Sequence, residues 1–161
     1  MNWLIYRRQK GFALVELLVY IAILIIVTIV VVLGIVQISR AFARAKVDQK
    51  ISLAAETALS RIVHEIRSAS DVTASGAVLT INAPTTHIID VNAGSPQVML
   101  LDTANLTPID VTVPAGGLIF TEITGAGESR AVRVALTLQS SWGDYSASYT
   151  YYATGVLRGS Y

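Results

Sequence analysis

The stretch KGFALVELLVYIAILIIVTIVVVLGIVQI, residues 10–38, decides how the rest of the chain is read. From Phe12 onward it holds 27 residues, of which 20 are Leu, Ile, Val or Phe, and a single acid, Glu16. A helix of ~20 apolar residues spans the ~30 Å hydrocarbon core of a bilayer. At about −0.3 to −0.6 kcal/mol per residue the run favours insertion by about 8 kcal/mol, and a deep carboxylate subtracts only about 3 kcal/mol. Glu16 sits near the start of the run, where a carboxylate keeps some hydration, so its penalty is smaller still. Residues 25–32 are all β-branched and Gly34 follows, both weak helix formers in water. In lipid the backbone must close its own hydrogen bonds, so helix remains the expectation.

Outward from this stretch, Arg7, Arg8 and Lys10 precede the run, and Arg40, Arg44 and Lys46 follow it. That near tie leaves membrane orientation open on charge alone. The apolar run is far longer than the core of a secretory signal, and no Ala-x-Ala follows it, which disfavours an ordinary cleaved signal. The full 161 residues carry 12 basic and 11 acidic side chains. Removing Arg7, Arg8 and Lys10 leaves 9 basic against 11 acidic, a net of −2 from Phe12 onward. This balance argues against a strongly basic nucleic-acid binder. The absence of cysteine excludes disulfides, thiol nucleophiles and thiolate metal sites.

Gly11-Phe12-x-x-x-Glu16, with basic residues before it and an unbroken apolar run after it, resembles the processing site of type IV prepilins and pseudopilins. The similarity extends through Phe12-Ala-Leu-Val-Glu16-Leu-Leu-Val-Tyr-Ile-Ala-Ile-Leu24. It implies cleavage between Gly11 and Phe12 by a prepilin peptidase on the cytoplasmic side, followed by N-methylation of Phe12. It also implies a topology: leader inside, remainder outside, as a single-pass protein of the cytoplasmic membrane until assembly. In such filaments the glutamate at the position of Glu16 approaches the N-terminal amine of a neighbouring subunit. Pairing is physically reasonable, since removing one partner of a buried ion pair costs about 3–5 kcal/mol.

Beyond the run, Val47, Ile51, Ala55, Ala58, Ile62, Ile66 and Ala69 recur at spacings of four and three, with Leu59 beside them. This is the apolar stripe of an amphipathic helix over residues 39–70, continuing the membrane helix. Arg44, Lys46, Asp48, Lys50, Glu56, Arg61, Glu65 and Arg67 read as its solvated charge. The segment from Leu59 to Ala69 is similar to the end of the long helix in W-type minor pilins and J-type pseudopilins. His64 has no ligand partner at helical spacing and reads as a partly exposed helix histidine.

From residue 71 the period becomes alternating. Strands are expected at 78–82, 87–91, 98–102, 109–113, 118–123, 131–139 and 146–154, separated by short turns rich in Gly, Pro and Asn. Short gaps favour an antiparallel meander, with one face buried on the helix stripe and Arg133 on the wet face. Gly117-Leu-Ile-Phe120 and Ala131-Val-Arg-Val-Ala-Leu-Thr-Leu138 are similar to the sheet of minor pilins. No Ser/His/Asp spacing suggests catalysis, and His87 reads as a loop or strand-edge residue. Asp90-Val-Asn92-Ala-Gly94 lacks the further carboxylates of a calcium loop. Tyr145, Tyr149, Tyr151 and Tyr152 read as cross-strand packing, and Arg130, Arg133 and Arg158 are too few to argue DNA binding.

The expected molecule is an α+β, pilin-like protein. It has a leader at 1–11, a membrane and filament-core helix at 12–38, a helical extension at 39–70, and an antiparallel sheet domain at 71–161. Its expected function is that of a minor pilin or pseudopilin of a pilus or a type II secretion system, not an enzyme and without cofactor. Its partners would be the membrane, prepilin peptidase, other pilin subunits and the assembly machinery, with no nucleic acid assigned. The alternative is an uncleaved, signal-anchored surface or periplasmic binding domain that does not polymerise.

Overall fold

The computed structural model describes residues 9–82, 85–125 and 130–157, with side chains from Leu14 onward. Most of the leader, Pro84, the turn residues Ala126 and Gly127, and Arg158 lie outside the described residues. One helix, α1 (Gln9–Ser68), covers 60 residues. The chain divides into two compact units, Met1–Phe42 and Ala43–Tyr161.

In the first unit every described side chain, residues 14–42, is exposed. The helical run of β-branched residues and Gly34 is uninterrupted. Such a surface has no aqueous explanation, because nothing in the unit covers it; a lipid or protein environment would.

In the second unit the helix becomes one-sided. All seven stripe residues from Val47 to Ala69 are buried, joined by Ala54, and Leu59 packs against them. Among the described residues nine strands complete the unit: β1 (Asp71–Ser75), β2 (Val78–Asn82), β3 (Thr86–Val91), β4 (Met99–Leu101), β5 (Ala104–Asn105), β6 (Val111–Thr112), β7 (Leu118–Thr124), β8 (Arg130–Trp142) and β9 (Tyr145–Val156). The architecture is α+β and the pairing antiparallel throughout. Seven of these strands lie where alternation predicts them. Two do not: β1 holds one fully buried apolar residue, Val72, and β5 is two residues long.

The strands form two sheets rather than one. The first is a meander in the order β1-β2-β3-β4-β5. The second is built on β8, which pairs β9 along one edge, with β7 and β6 sharing the other. The sheets meet where β1 lies beside β7. There the Phe120 N–H donates to the Gly76 carbonyl at 2.9 Å and the Ala74 N–H to Glu122 Oε1 at 2.6 Å. Arg130 closes this seam, paired with Asp71 and Glu122 and donating to the Val72 carbonyl at 2.8 Å. An arginine weighed for phosphate contact is thus a clamp between sheets. Its planar fork suits several acceptors at once.

Inward-facing Val132, Val134, Leu136 and Leu138 of β8 meet the helix stripe in one apolar core, while Arg133 points outward as alternation predicts. Tight turns set the registers. Gly143 has φ 59° in the two-residue connection from Trp142 to Tyr145, a conformation costly for a residue with a Cβ. Asp102 has φ 58° in the β4–β5 turn, which an aspartate tolerates when its short side chain bonds locally.

Candidate functional site

The residues singled out by the sequence fall in α1. Gly11 and Phe12 are helical in backbone, and their side chains lie outside the description. Glu16 follows one turn later, with an exposed carboxylate. The Tyr20 hydroxyl donates to Glu16 Oε1 at 3.4 Å, across one helical turn. The next polar side chain is Thr28, whose hydroxyl donates to its own helix at the Leu24 carbonyl, 2.7 Å away. Around these groups the apolar side chains from Leu14 to Ile38 form the exposed surface, with a mean hydropathy of 3.3 over its most apolar window. Among the described residues the site is therefore one carboxylate with one internal donor, displayed on a helix long and apolar enough to cross a membrane.

In the second unit five of the eight charges expected to be solvated are exposed, Arg44, Lys46, Glu56, Arg61 and Arg67, and several of the eight also find partners. Lys46 Nζ lies 3.3 Å from the Trp142 ring centroid, and Arg44 lies over Tyr145 at 5.6 Å. Lys50 pairs with Asp110 and faces Trp142 at 5.2 Å. Glu65 is only 7% exposed and accepts from Arg61 at 2.7 Å. The contacts of Arg44, Lys46 and Lys50 tie α1 to the β8–β9 hairpin and to the loop between β5 and β6, whereas Arg61–Glu65 lies within α1; the sequence shows these residues as charged but cannot name partners so distant along the chain. The tyrosines split by strand parity: Tyr145 and Tyr151 pack on the core, whereas Tyr152 is exposed with Arg133 over its ring at 5.1 Å.

Tyr149 donates to Asp48 Oδ1 at 3.0 Å. That hydrogen bond, with a second one to Tyr145, pushes its phenol up from 10.0 to about 12. A raised phenol stabilises the folded state fully below pH ~10 and loses that contribution as pH rises through the folded value. In a phenolate absorbance titration, one tyrosine is expected to ionise last, near pH 12. Asp48→Asn should bring it back toward the others; a wild-type curve with no late tyrosine would contradict the contact.

His87 lies in β3, one residue from the strand's start, as a strand-edge residue rather than in a loop. Its Nδ1 is 2.7 Å from Asp102 Oδ2 and its Nε2 is 3.0 Å from Thr85 Oγ1. Asp102 also accepts from the Ile88 N–H at 2.8 Å, and its own N–H donates to the Ile88 carbonyl at 2.7 Å. The His87 hydrogen bond, then the Ile88 N–H, hold the Asp102 carboxyl below its ordinary value. The order Thr85, His87, Asp102 copies a hydrolytic relay on paper. The cluster is open to solvent and each Asp102 bond fastens β3 to the β4–β5 turn, so its geometry is that of a staple. His64 is exposed. Asn92 braces its own loop by accepting from the Val98 N–H at 2.8 Å. Among the described residues no three His, Cys, Asp or Glu side chains are placed to share a metal ion. A cavity of about 590 Å³ lies between Leu53, Ala54 and Thr57 of α1 and Leu106, Pro108 and Ile109 of the facing loop. Its lining is mainly apolar, and its charged members, Lys50 and Asp110, are paired to each other.

Residues 6–35 match the family model of the prokaryotic N-terminal methylation motif. No curated protein and no solved structure matches the chain. The chain thus carries the N-terminal signal of type IV pilins and pseudopilins, and the signal spans Gly11, Phe12, Glu16 and Tyr20. That signal implies processing by prepilin peptidase and association with other pilins.

Proposed function

We propose that the protein is a type IV pilin-like subunit, a minor pilin or pseudopilin, assembled into a pilus or secretion pseudopilus. Prepilin peptidase cuts between Gly11 and Phe12, and the new Phe12 amine is methylated. Before assembly the subunit is stored in the cytoplasmic membrane as a single-pass protein, its sheet domain outside the cytoplasm. Its work is mechanical and associative rather than catalytic.

One observation carries this reading. The methylation motif coincides with a helix whose apolar side chains are all exposed between Leu14 and Ile38. An exposed run of that hydropathy needs lipid or apolar protein around it. A subunit that moves from bilayer to filament meets both in turn. Glu16 fits the second environment better than the first. A carboxylate gains nothing in a membrane span, but in a filament core it can neutralise the Phe12 ammonium of a neighbour.

The test is the N-terminus of the protein taken from its native membrane. Intact mass and terminal sequencing should find residues 1–11 removed and Phe12 N-methylated. A chain that keeps Met1 in cells with an active peptidase would overturn the proposal in favour of a signal-anchored domain.

A further inference from the structure

We propose that Tyr20 is a positioning residue for Glu16: its hydroxyl holds the carboxylate on one line of the helix, ready for a neighbour's amine. This rests on the pilin-like reading above and adds a residue to it.

The argument starts from helix geometry. A side chain four residues on lies directly over the earlier one, and Cα–Cβ bonds tilt toward the helix N-terminus. Tyr20 is therefore deeper in the apolar run by about 6 Å of helix rise, yet its hydroxyl points back to Glu16. The two oxygens are 3.4 Å apart. Among the described residues Glu16 is the hydroxyl's one acceptor, and Tyr20 the carboxylate's one donor. Thr28, the other hydroxyl of the run, is committed to the Leu24 carbonyl.

The chemistry favours this pairing in an apolar setting. A hydrogen bond to an ionised acceptor is roughly twice as strong as a neutral one. It strengthens further where water is scarce. Without it the carboxylate would reach for the nearest headgroup water and sample several rotamers, which must be surrendered when a neighbour docks. With it the carboxylate stays on the Tyr20 side of the helix. One phenol occupies one of roughly four lone-pair sites on a carboxylate, so an incoming ammonium is steered rather than blocked. The ring also supplies an amphipathic body, apolar on its faces and polar at its tip, that sits well near an interface.

The experiment uses the full-length chain in its native membrane, with Tyr20→Phe, Glu16→Gln, the double variant, and Tyr20→Phe combined with Ile21→Tyr. The last keeps a tyrosine in the run but moves it off the Glu16 line. Leader removal is read by intact mass, and incorporation by the filament-bound fraction. Tyr20→Phe should be processed normally and incorporated roughly tenfold less, the expected loss for one hydrogen bond to a charged group. The double variant should be no worse than Glu16→Gln, and the Ile21→Tyr combination should stay low. Wild-type incorporation of Tyr20→Phe, additive losses, or recovery with Ile21→Tyr would each overturn the proposal.

A second readout does not depend on assembly. The Raman Fermi doublet of Tyr20, taken as wild type minus Tyr20→Phe in the membrane-stored form, should report a phenol donating to an anion. It should change with Glu16→Leu; a doublet indifferent to that substitution would also overturn the proposal. A wild type that keeps its leader and enters no filament sinks the pilin-like reading instead, and the doublet still decides the Tyr20–Glu16 contact.

Discussion

Gly155→Ala is expected to destabilise the sheet domain by about 2–3 kcal/mol, a large part of the ~5–15 kcal/mol by which domains of this size are stable. Taken alone, the substitution should help. Alanine narrows the unfolded ensemble, and a glycine inside a strand is unfavourable by about 0.5–1 kcal/mol. Packing reverses the sign. A Cβ built on Gly155 falls 2.8 Å from Ile66 Cγ2 and 2.9 Å from Ile66 Cβ. Ile66 is fully buried and β-branched, with one strongly preferred rotamer in a helix. Its Cβ cannot swing aside at all, because it is fixed to the helix backbone. Relief therefore means lifting α1 off β9, which opens space around Ile62 and Ala69, both part of the same core. The check is a denaturant titration of the full-length protein in detergent, with a double-mutant cycle. Ile66→Ala alone should cost about 2–5 kcal/mol by leaving a cavity. Combined with Gly155→Ala it should cost clearly less than the sum, since the new methyl partly fills the space vacated. A Gly155→Ala protein as stable as wild type would show that helix and strand do not approach this closely.

The same pair of residues shows what the sequence could and could not disclose. Ile66 belongs to a stripe legible from spacing alone, and every member of that stripe is buried. The alternation around Arg133 likewise placed β8 and its wet face correctly. Periodicity works here because it reports one element's own geometry. Gly155 is different: nothing in Ala-Thr-Gly-Val says that a helix residue nearly 90 positions earlier lies against it. The seam between the sheets was hidden for the same reason. Arg130, Asp71 and Glu122 are brought together by pairings distant in sequence, and β1, with Val72 as its one fully buried side chain, offers too little apolar signal to be read as a strand. Lys46 and Lys50 were legible as charges, but their seats on Trp142 depend on where a hairpin turns. At the candidate site the balance is reversed. Gly11, Phe12 and Glu16 were visible as a motif, since their identities and spacing are set within one short stretch of chain. Tyr20 required only one further step, the i,i+4 geometry of a helix.

Under the proposed function, Glu16→Leu should separate two states of the apolar helix, membrane storage and filament, because its effects on them have opposite signs. In the stored form the substitution removes a carboxylate from an otherwise apolar span and adds a residue that favours insertion. Membrane integration should improve, by up to about 3 kcal/mol if Glu16 sits deep. The cleavage bond between Gly11 and Phe12 is untouched, so leader removal and methylation should proceed. In the proposed filament the same change would strand the Phe12 ammonium of a neighbour in an apolar core. Breaking a buried pair from one side costs about 3–5 kcal/mol, which corresponds to a loss of roughly two to three and a half orders of magnitude in incorporation. The measurement is a pair of fractions from the same cells: processed protein in the membrane, and processed protein in sheared filaments. The first should be undiminished and the second nearly empty. Were Glu16 only a hydrated carboxylate at the bilayer edge, as in a simple anchor, both fractions would match wild type. The outcome thus separates a helix that merely holds the domain in a membrane from one built to leave it.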